Sequence, residues 1–573
     1  TENIDIFLDD NATESNFKNY NNLSAKIISF ATHGLLKGEI EDARILIEKN
    51  STITLPKVDK SIKKIDLENV NIDKKIFGFE NIIFKPIKSD KKIDKILRDD
   101  TSYDFERDIF IDLKAGNYST FILNTNPYFK IGNKFALYSD IFIKLNSKGS
   151  KLSGVSGEEI NDINLYADYK YSVNSRLSSY LNFSSYSNGY YGFINDENII
   201  LTDDIISDLR FSNNSFKYKF DWENIGNQSN SNINYSGKIF QNSFHNEFQH
   251  TINSNLTVPL SNTLVSFMPK FDFYELDQKN NLNMVSKNKL SFTQLDLPLI
   301  FDFTFTNLNI RINTSYQFLS RNFKNKSNKS SFSPGIKFKY YNKNLTLNLS
   351  ASRGYNYNQY SSEIHRMPFI YEKNIINQFD FNKELYRIKS GVDINIFNNS
   401  TLSLGFESLK LEGNLDYTLY LGESLPSDIK IPMYLYTIER DNNTQIINYI
   451  SLSFNSRLSE NFESNINFLN TIFDENQVFQ PLYIIDISNS YSSNNFSLTL
   501  GGNFELESYG LNYKNELFEM KSFIDIYFDS SYEISKNLNL NLSISNILNR
   551  YNERFYMYPE LGINFVGGIK WVF

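Results

Sequence analysis

The sequence predicts an all-β protein, a transmembrane antiparallel β-barrel of about 18 strands (range 16–22) with a short amino-terminal periplasmic segment. Three observations carry that expectation. Apolar residues recur at every second position over long stretches, no run of eighteen apolar residues exists to make a transmembrane helix, and the final segment alternates up to Phe573. In a barrel only alternate residues face lipid, so the low mean hydropathy of an aromatic-rich chain (37 Tyr, 49 Phe, no Cys) is compatible with it.

The elements follow in chain order. Residues 1–50 read as a small mixed segment, with a short strand over Ala25–Phe30 and a helical turn between Gly38 and Asn50. Residues 51–106 are rich in Lys and Asp and poor in aromatics, which predicts an extended linker. Residues 107–573 read as the barrel. Phe135, Leu137, Ile141, Ile143 and Leu145 share one face of a strand, while Lys134, Tyr138, Asp140 and Lys144 share the other. Ile163, Leu165, Ala167, Tyr169 and Tyr171 alternate in the same way with Asn164, Tyr166, Asp168 and Lys170, and the pattern returns at 345–352 and 538–545. Strands of about 9–13 residues match a tilted crossing of a bilayer. Asn342-Lys343-Asn344 and Ser535-Lys536-Asn537 suit tight reversals, and the polar stretches 356–382 and 412–442 suit external loops. At roughly 22–30 residues per strand with its connection, residues 107–573 hold about 18 strands, an even number.

The closing segment is the sharpest feature. Ile563, Phe565, Gly567, Ile569, Trp571 and Phe573 alternate with Asn564, Val566, Gly568, Lys570 and Val572. Such a strand can seal the wall against the first one, with Trp571 and Phe573 in the interfacial belt. Because main-chain groups in lipid must all be bonded internally, long alternating strands imply a closed cylinder in an outer membrane.

Chemistry is sparse by comparison. Asp140, Lys144, Asp168 and Lys170 are the candidate lumen-facing charges, able to tune passage of a solute. His245 and His250 are five apart, so they point to opposite faces of a strand and make no metal pair. The acidic groups around Asp196, Asp203, Asp428 and Glu439 lack the compact spacing of a calcium loop. No catalytic residue, metal site or cofactor is expected. A net charge of -8 offers no basic face for nucleic acid. Thr1–Asp5 has neither the basic start nor the apolar core of a secretion signal, a neutral finding for a mature chain.

Two segments carry a family likeness. Leu540-Asn541-Leu542-Ser543-Ile544-Ser545-Asn546-Ile547-Leu548-Asn549-Arg550-Tyr551, followed by Gly562–Phe573, resembles the ending of TonB-dependent receptor barrels. With Leu113–Thr120 and Leu145–Gly149 the likeness extends to a receptor-like, plugless group from Bacteroidetes. It implies a transporting barrel of the outer membrane, whereas the 106 upstream residues show neither a folded plug nor an energy-coupling motif. At the front, residues 10–40 resemble part of a CHAT caspase-like domain, which would make His33 its catalytic histidine. That chemistry needs a Cys thiolate beside the His, and the chain has no Cys.

The expected function is therefore a passive channel, or the membrane component of a transport or secretion assembly. The alternative is a non-transporting scaffold that anchors periplasmic or surface partners. Expected partners are outer-membrane lipids and lipoprotein subunits of the periplasm or cell surface.

Overall fold

The computed structural model describes residues 27–31, 44–48 and 109–573, apart from 133, 147–156, 173, 193–206, 208, 226–228, 261–262, 280–288, 324, 372–374, 398, 423–432, 475–476, 513 and 515. The chain divides into two units, Thr1–Glu106 and Arg107–Phe573. In the first, Ile27–Ala31 pairs antiparallel with Arg44–Glu48. The helical turn expected near Asp42–Ile47 is thus replaced by a strand. Its β-branched Ile45 and Ile47 favour an extended backbone, and Ile27–Phe30 supplies the partner edge. The linker 51–106, the CHAT-like stretch other than Ile27–Ala31, and His33 lie outside the described residues.

The second unit is a closed antiparallel barrel of 22 strands. Two of them are interrupted. Phe121–Thr125 and Tyr128–Ile131 both pair with Phe135–Asn146, and Thr263–Phe267 and Lys270–Gln278 both pair with Lys289–Thr304. Pro127 and Pro269 sit at the two breaks, where a residue without an N–H cannot donate to the ladder. The expected count of about 18 is therefore corrected to 22. Three connections shorter than anticipated, 117–120, 242–244 and 324, lower the number of residues spent per strand.

Strand length departs from expectation too. Leu308–Phe323 runs 16 residues, and Asn325–Tyr341 and Phe381–Phe397 run 17, whereas a tilted strand needs about 9–11 to cross lipid. Near the closure the strands are shorter: Phe110–Gly116 has seven residues, Leu538–Ser545 eight and Asn564–Val572 nine. The wall is low on that side and tall on the other.

The two ends of the barrel differ. Ten connections of two to four residues, among them 342–344 and 536–537, lie at the same end as Ile109 and Phe573. The other eleven include 190–209, 358–380, 413–443, 507–522 and 546–563.

Alternation separates the two surfaces of the wall. Leu113, Leu137, Leu165, Phe183, Phe220, Leu256, Phe318, Leu349, Leu404, Ile450, Leu500 and Ile569 are exposed; they form the band that lipid covers. The opposite face carries polar residues bonded to one another across strands. Asn182 donates to Asp162 at 2.5 Å, Thr251 to Asp272 at 2.6 Å and Asn503 to Asp486 at 2.5 Å. Each rung satisfies groups whose burial unpaired would cost about 1–3 kcal/mol.

Closure is made by Asn564–Val572, which pairs with Leu538–Ser545 on one side and Phe110–Gly116 on the other. Gly116 and Gly568 permit this approach, since a Cβ would run into the Phe565 carbonyl at the first and the Leu113 carbonyl at the second. Asn117 clasps the seam: its Nδ2 donates to Ile563 O at 2.8 Å, and its Oδ1 accepts Phe565 N at 3.0 Å.

Candidate functional site at the long-loop mouth

The four charges singled out from the sequence lie on the face opposite exposed Leu137, Leu145, Leu165 and Tyr169. They are spread along the wall and form no cluster. Lys144 sits near the long-loop end and bonds Glu158. Asp140 stands opposite Asn164, and Asp168 pairs with Arg176 at 2.9 Å. Lys170 lies at the short-turn end, level with Arg176. Trp571 and Phe573 are more than half exposed at that same end, their rings stacked with centroids 5.6 Å apart. His245 and His250 do face opposite ways along one strand: His245 is fully buried, while His250 bonds Tyr218 on the outer face, where Tyr235 is exposed.

Side chains converge at the long-loop mouth. The connection 358–380 was expected to be polar; it instead buries Tyr360, Ile364, Met367, Phe369, Ile370, Tyr371, Ile375, Ile376 and Phe379. A solvated loop would not carry so much apolar surface, and each such side chain contributes about 1.5–3 kcal/mol when enclosed. The segment starts with a two-turn helix, Tyr360–Arg366, and returns through a 3-10 turn, Ile375–Gln378. Between them, Phe369 stacks on Tyr558 with centroids 3.8 Å apart and meets Tyr191 and Phe555 edge-on. Tyr371 meets Tyr190 and Phe244 in the same edge-on manner. Tyr436 packs on Phe479, and Phe479 on Phe555. Six of the eleven connections at this end thus share one aromatic core, and pairs of this geometry add about 0.5–1.5 kcal/mol each beyond burial.

Main-chain bonds knit the same core. Tyr371 N donates to Tyr436 O at 2.9 Å, and the Tyr436 hydroxyl donates to Tyr556 O at 2.9 Å. Burial pushes the Tyr436 and Tyr417 phenols well above their ordinary 10.0, and that of Tyr371 to about 12. The hairpin Leu415–Gly422 with Met433–Arg440 extends the wall beside the core through an eight-pair ladder.

Polar contacts hold the helix to the wall. Fully buried Glu247 accepts the Ser361 N–H and hydroxyl, both at 2.6 Å, and the Tyr274 hydroxyl at 3.2 Å. Asn242 donates to the Tyr360 hydroxyl at 2.7 Å, and Lys238 donates to Ser361 Oγ at 2.5 Å. On the other flank Glu363 accepts the Tyr417 hydroxyl at 2.8 Å and pairs with Arg366 at 3.6 Å. The connection 546–563 is anchored in turn by Arg554, which reaches Glu505 at 3.0 Å and Glu560 at 3.3 Å and lies 4.0 Å over the Phe523 ring.

The mouth was missed at the level of the sequence because it has no period. The available signal was the density of Ile, Met, Phe and Tyr between Ile364 and Phe379, too high for an exposed connection.

No family model matches the chain, and no curated protein matches it. Solved structures do. The chain is similar to the FrpB iron transporter from Neisseria meningitidis (F3-3 variant), with a TM-score of 0.63 and 10% identity over 81% of each chain. It is similar to the ferric-catecholate import receptor Fiu from E. coli K12, with a TM-score of 0.59 and 9% identity over 81% of each chain. The ferripyoverdine receptor of the Pseudomonas aeruginosa outer membrane matches with a TM-score of 0.60 and 10% identity, over 81% of this chain and 72% of that one. At such identity the likeness speaks for the fold. Together with the closed wall and its apolar band, it gives this chain the large closed β-barrel architecture that these structures share.

Proposed function

We propose that the chain passes a solute across the outer membrane through a mouth that its own connections close at rest, alone or as the membrane component of a transport or secretion assembly. The observation that carries this reading is the aromatic core shared by six connections above a polar-walled barrel. A permanently open channel has no use for such a closure, whereas a gated one requires it. In this reading energised import is not needed. Asp140, Lys144, Asp168 and Lys170 belong to the lumen lining, lipid surrounds the apolar band, and lipoprotein subunits are the natural partners of the long connections. No catalytic step is invoked.

Scaffolding is the second reading, favoured by the same closed mouth if it never opens. Conductance of the purified protein in planar bilayers separates the two. Wild-type protein is expected to be nearly silent with rare openings, and a variant with residues 360–379 replaced by a short Gly/Ser linker to conduct steadily. Silence from that variant, with the barrel shown intact by heat-modifiable gel migration, would leave the scaffold.

A further inference from the structure

We infer that Lys217 and Lys238 form an oxyanion-binding site on the lumen wall beneath the mouth, one that takes the phosphate or carboxylate group of a solute. The site belongs to the wall, so the inference does not depend on whether the mouth opens.

Placement comes from alternation and register. On the strand Arg210–Ile225, Phe216 and Phe220 are exposed on the lipid face, which turns Lys217, Lys219 and Asp221 toward the lumen. On the next strand, Asn230–Gln241, Lys238 stands directly opposite Lys217. The Cβ atoms of residues so paired lie about 4.5–5.5 Å apart, and like charges in that position repel. The next partners outward are Asn182 beside Lys217 and Gln249 beside Lys238. Neither brings a negative charge to offset the two ammonium groups.

The carboxylates nearest in the wall are already engaged. Asp221 pairs with Lys219 at 2.7 Å and accepts Asn234 Nδ2. Asp162 accepts Asn182 at 2.5 Å and Asn164 at 3.2 Å. Asp272 pairs with Lys270 at 2.7 Å and takes the Thr251 hydroxyl. Glu247 holds Ser361 and Tyr274, and Ser361 Oγ in turn accepts Lys238. Half-buried Lys217 has no ion-pair or hydrogen-bond partner among the described residues. Removing an ammonium group partly from water without a partner is unfavourable, and an anion supplied from outside reverses that.

A third group reports that the two lysines act together. The His365 imidazole, at the end of the mouth helix, is pushed down to about 4 by loss of solvation and then by the charge of Lys238, with Lys217 adding to it. One ring thus senses both ammonium groups, and the bond from Lys238 to Ser361 fixes their place under the helix. Two ammonium groups a strand apart offer an oxyanion two charge-assisted donors. Reversals of two to four residues at the opposite end cannot cover a 22-strand lumen, which leaves the patch approachable from there.

Inorganic phosphate is the probe, titrated into the purified full chain in detergent and followed by phosphorus NMR line broadening. Wild type should bind it saturably, with an affinity that falls as NaCl is raised. Lys217→Gln and Lys238→Gln should each weaken binding by about tenfold or more, the change expected from losing one charge-assisted hydrogen bond. Lys219→Gln makes the same change in net charge on the same face, but at a lysine already paired with Asp221. It should shift the affinity by less than about twofold. Gel migration confirms an intact barrel in every variant. The assignment is overturned if wild type shows no saturable binding, or if Lys217→Gln and Lys238→Gln leave binding intact. Equal weakening by Lys219→Gln would mark diffuse lumen charge and overturn it as well.

Discussion

The two ends of this barrel are made from the same strands yet solve different problems. At one end ten reversals of two to four residues do no more than return the chain. At the other, six connections share one aromatic core. The wall is held by ladders, which are local and repetitive. The mouth is held by packing of residues far apart in sequence, which depends on a few side chains such as Phe369, Tyr436 and Tyr558. Stability of the wall and packing of the mouth are thus separable: a change at the mouth alters its core and leaves the cylinder standing.

The largest effect that sharpens this contrast is expected at Phe369. Truncation to Ala removes a buried ring stacked on Tyr558, a loss of about 3–5 kcal/mol for a well-packed site. Hydrogen exchange of the amides in 358–380 should speed up by orders of magnitude, while those of Leu308–Phe323 keep their protection. Equal acceleration in both regions would break the separation. The reverse experiment targets the wall. Leu542→Arg, on the lipid face between strands Phe523–Ser535 and Asn564–Val572, should cost about 2–4 kcal/mol if it lies near the bilayer midplane. Denaturant unfolding in lipid vesicles reads that loss, with no change in mouth exchange in the folded state.

A smaller effect comes from alkali. The Tyr436 phenol is raised above 10.0 chiefly by burial, with Tyr558, Glu553 and Tyr556 adding to it. A group raised in the closed state favours closure below its free value and loses that contribution as pH climbs past it. Closure should therefore be constant from neutral pH to about 10 and weaken above. Single-channel open probability against pH checks this, and Tyr436→Phe should reduce the slope, with the other raised phenols of the mouth supplying the rest. A mouth that instead loosens between pH 5 and 8 would point to groups other than the phenols.

What could be seen in advance follows the same division. The alternation of Leu137, Leu165, Leu349 and Ile569 with polar neighbours is written in adjacent residues, so the wall, its closing strand and its tight reversals at 342–344 and 536–537 were legible. The number of strands was not, because connections as short as 242–244 leave no composition signal between two alternating stretches. The mouth was illegible for a deeper reason. Nothing near Phe369 says that its partner is Tyr558, and only the closed ring of strands brings the two together. The charges Lys144 and Asp168 were found as members of a face, but their bonding to Glu158 and Arg176 depends on register that alternation does not fix.

The seam bears on how the protein is made. Asn564–Val572 is the final strand of the twenty-two to leave the ribosome, and it is the one that joins Phe110–Gly116 to Leu538–Ser545. Until it is in place, those two strands have bare edges more than four hundred residues apart in sequence, each a template for pairing with another chain. Biogenesis therefore has no stable halfway cylinder to rest on. The nascent sheet has to be shielded until its tail arrives, and losing that tail would yield aggregated or degraded polypeptide in place of a smaller pore.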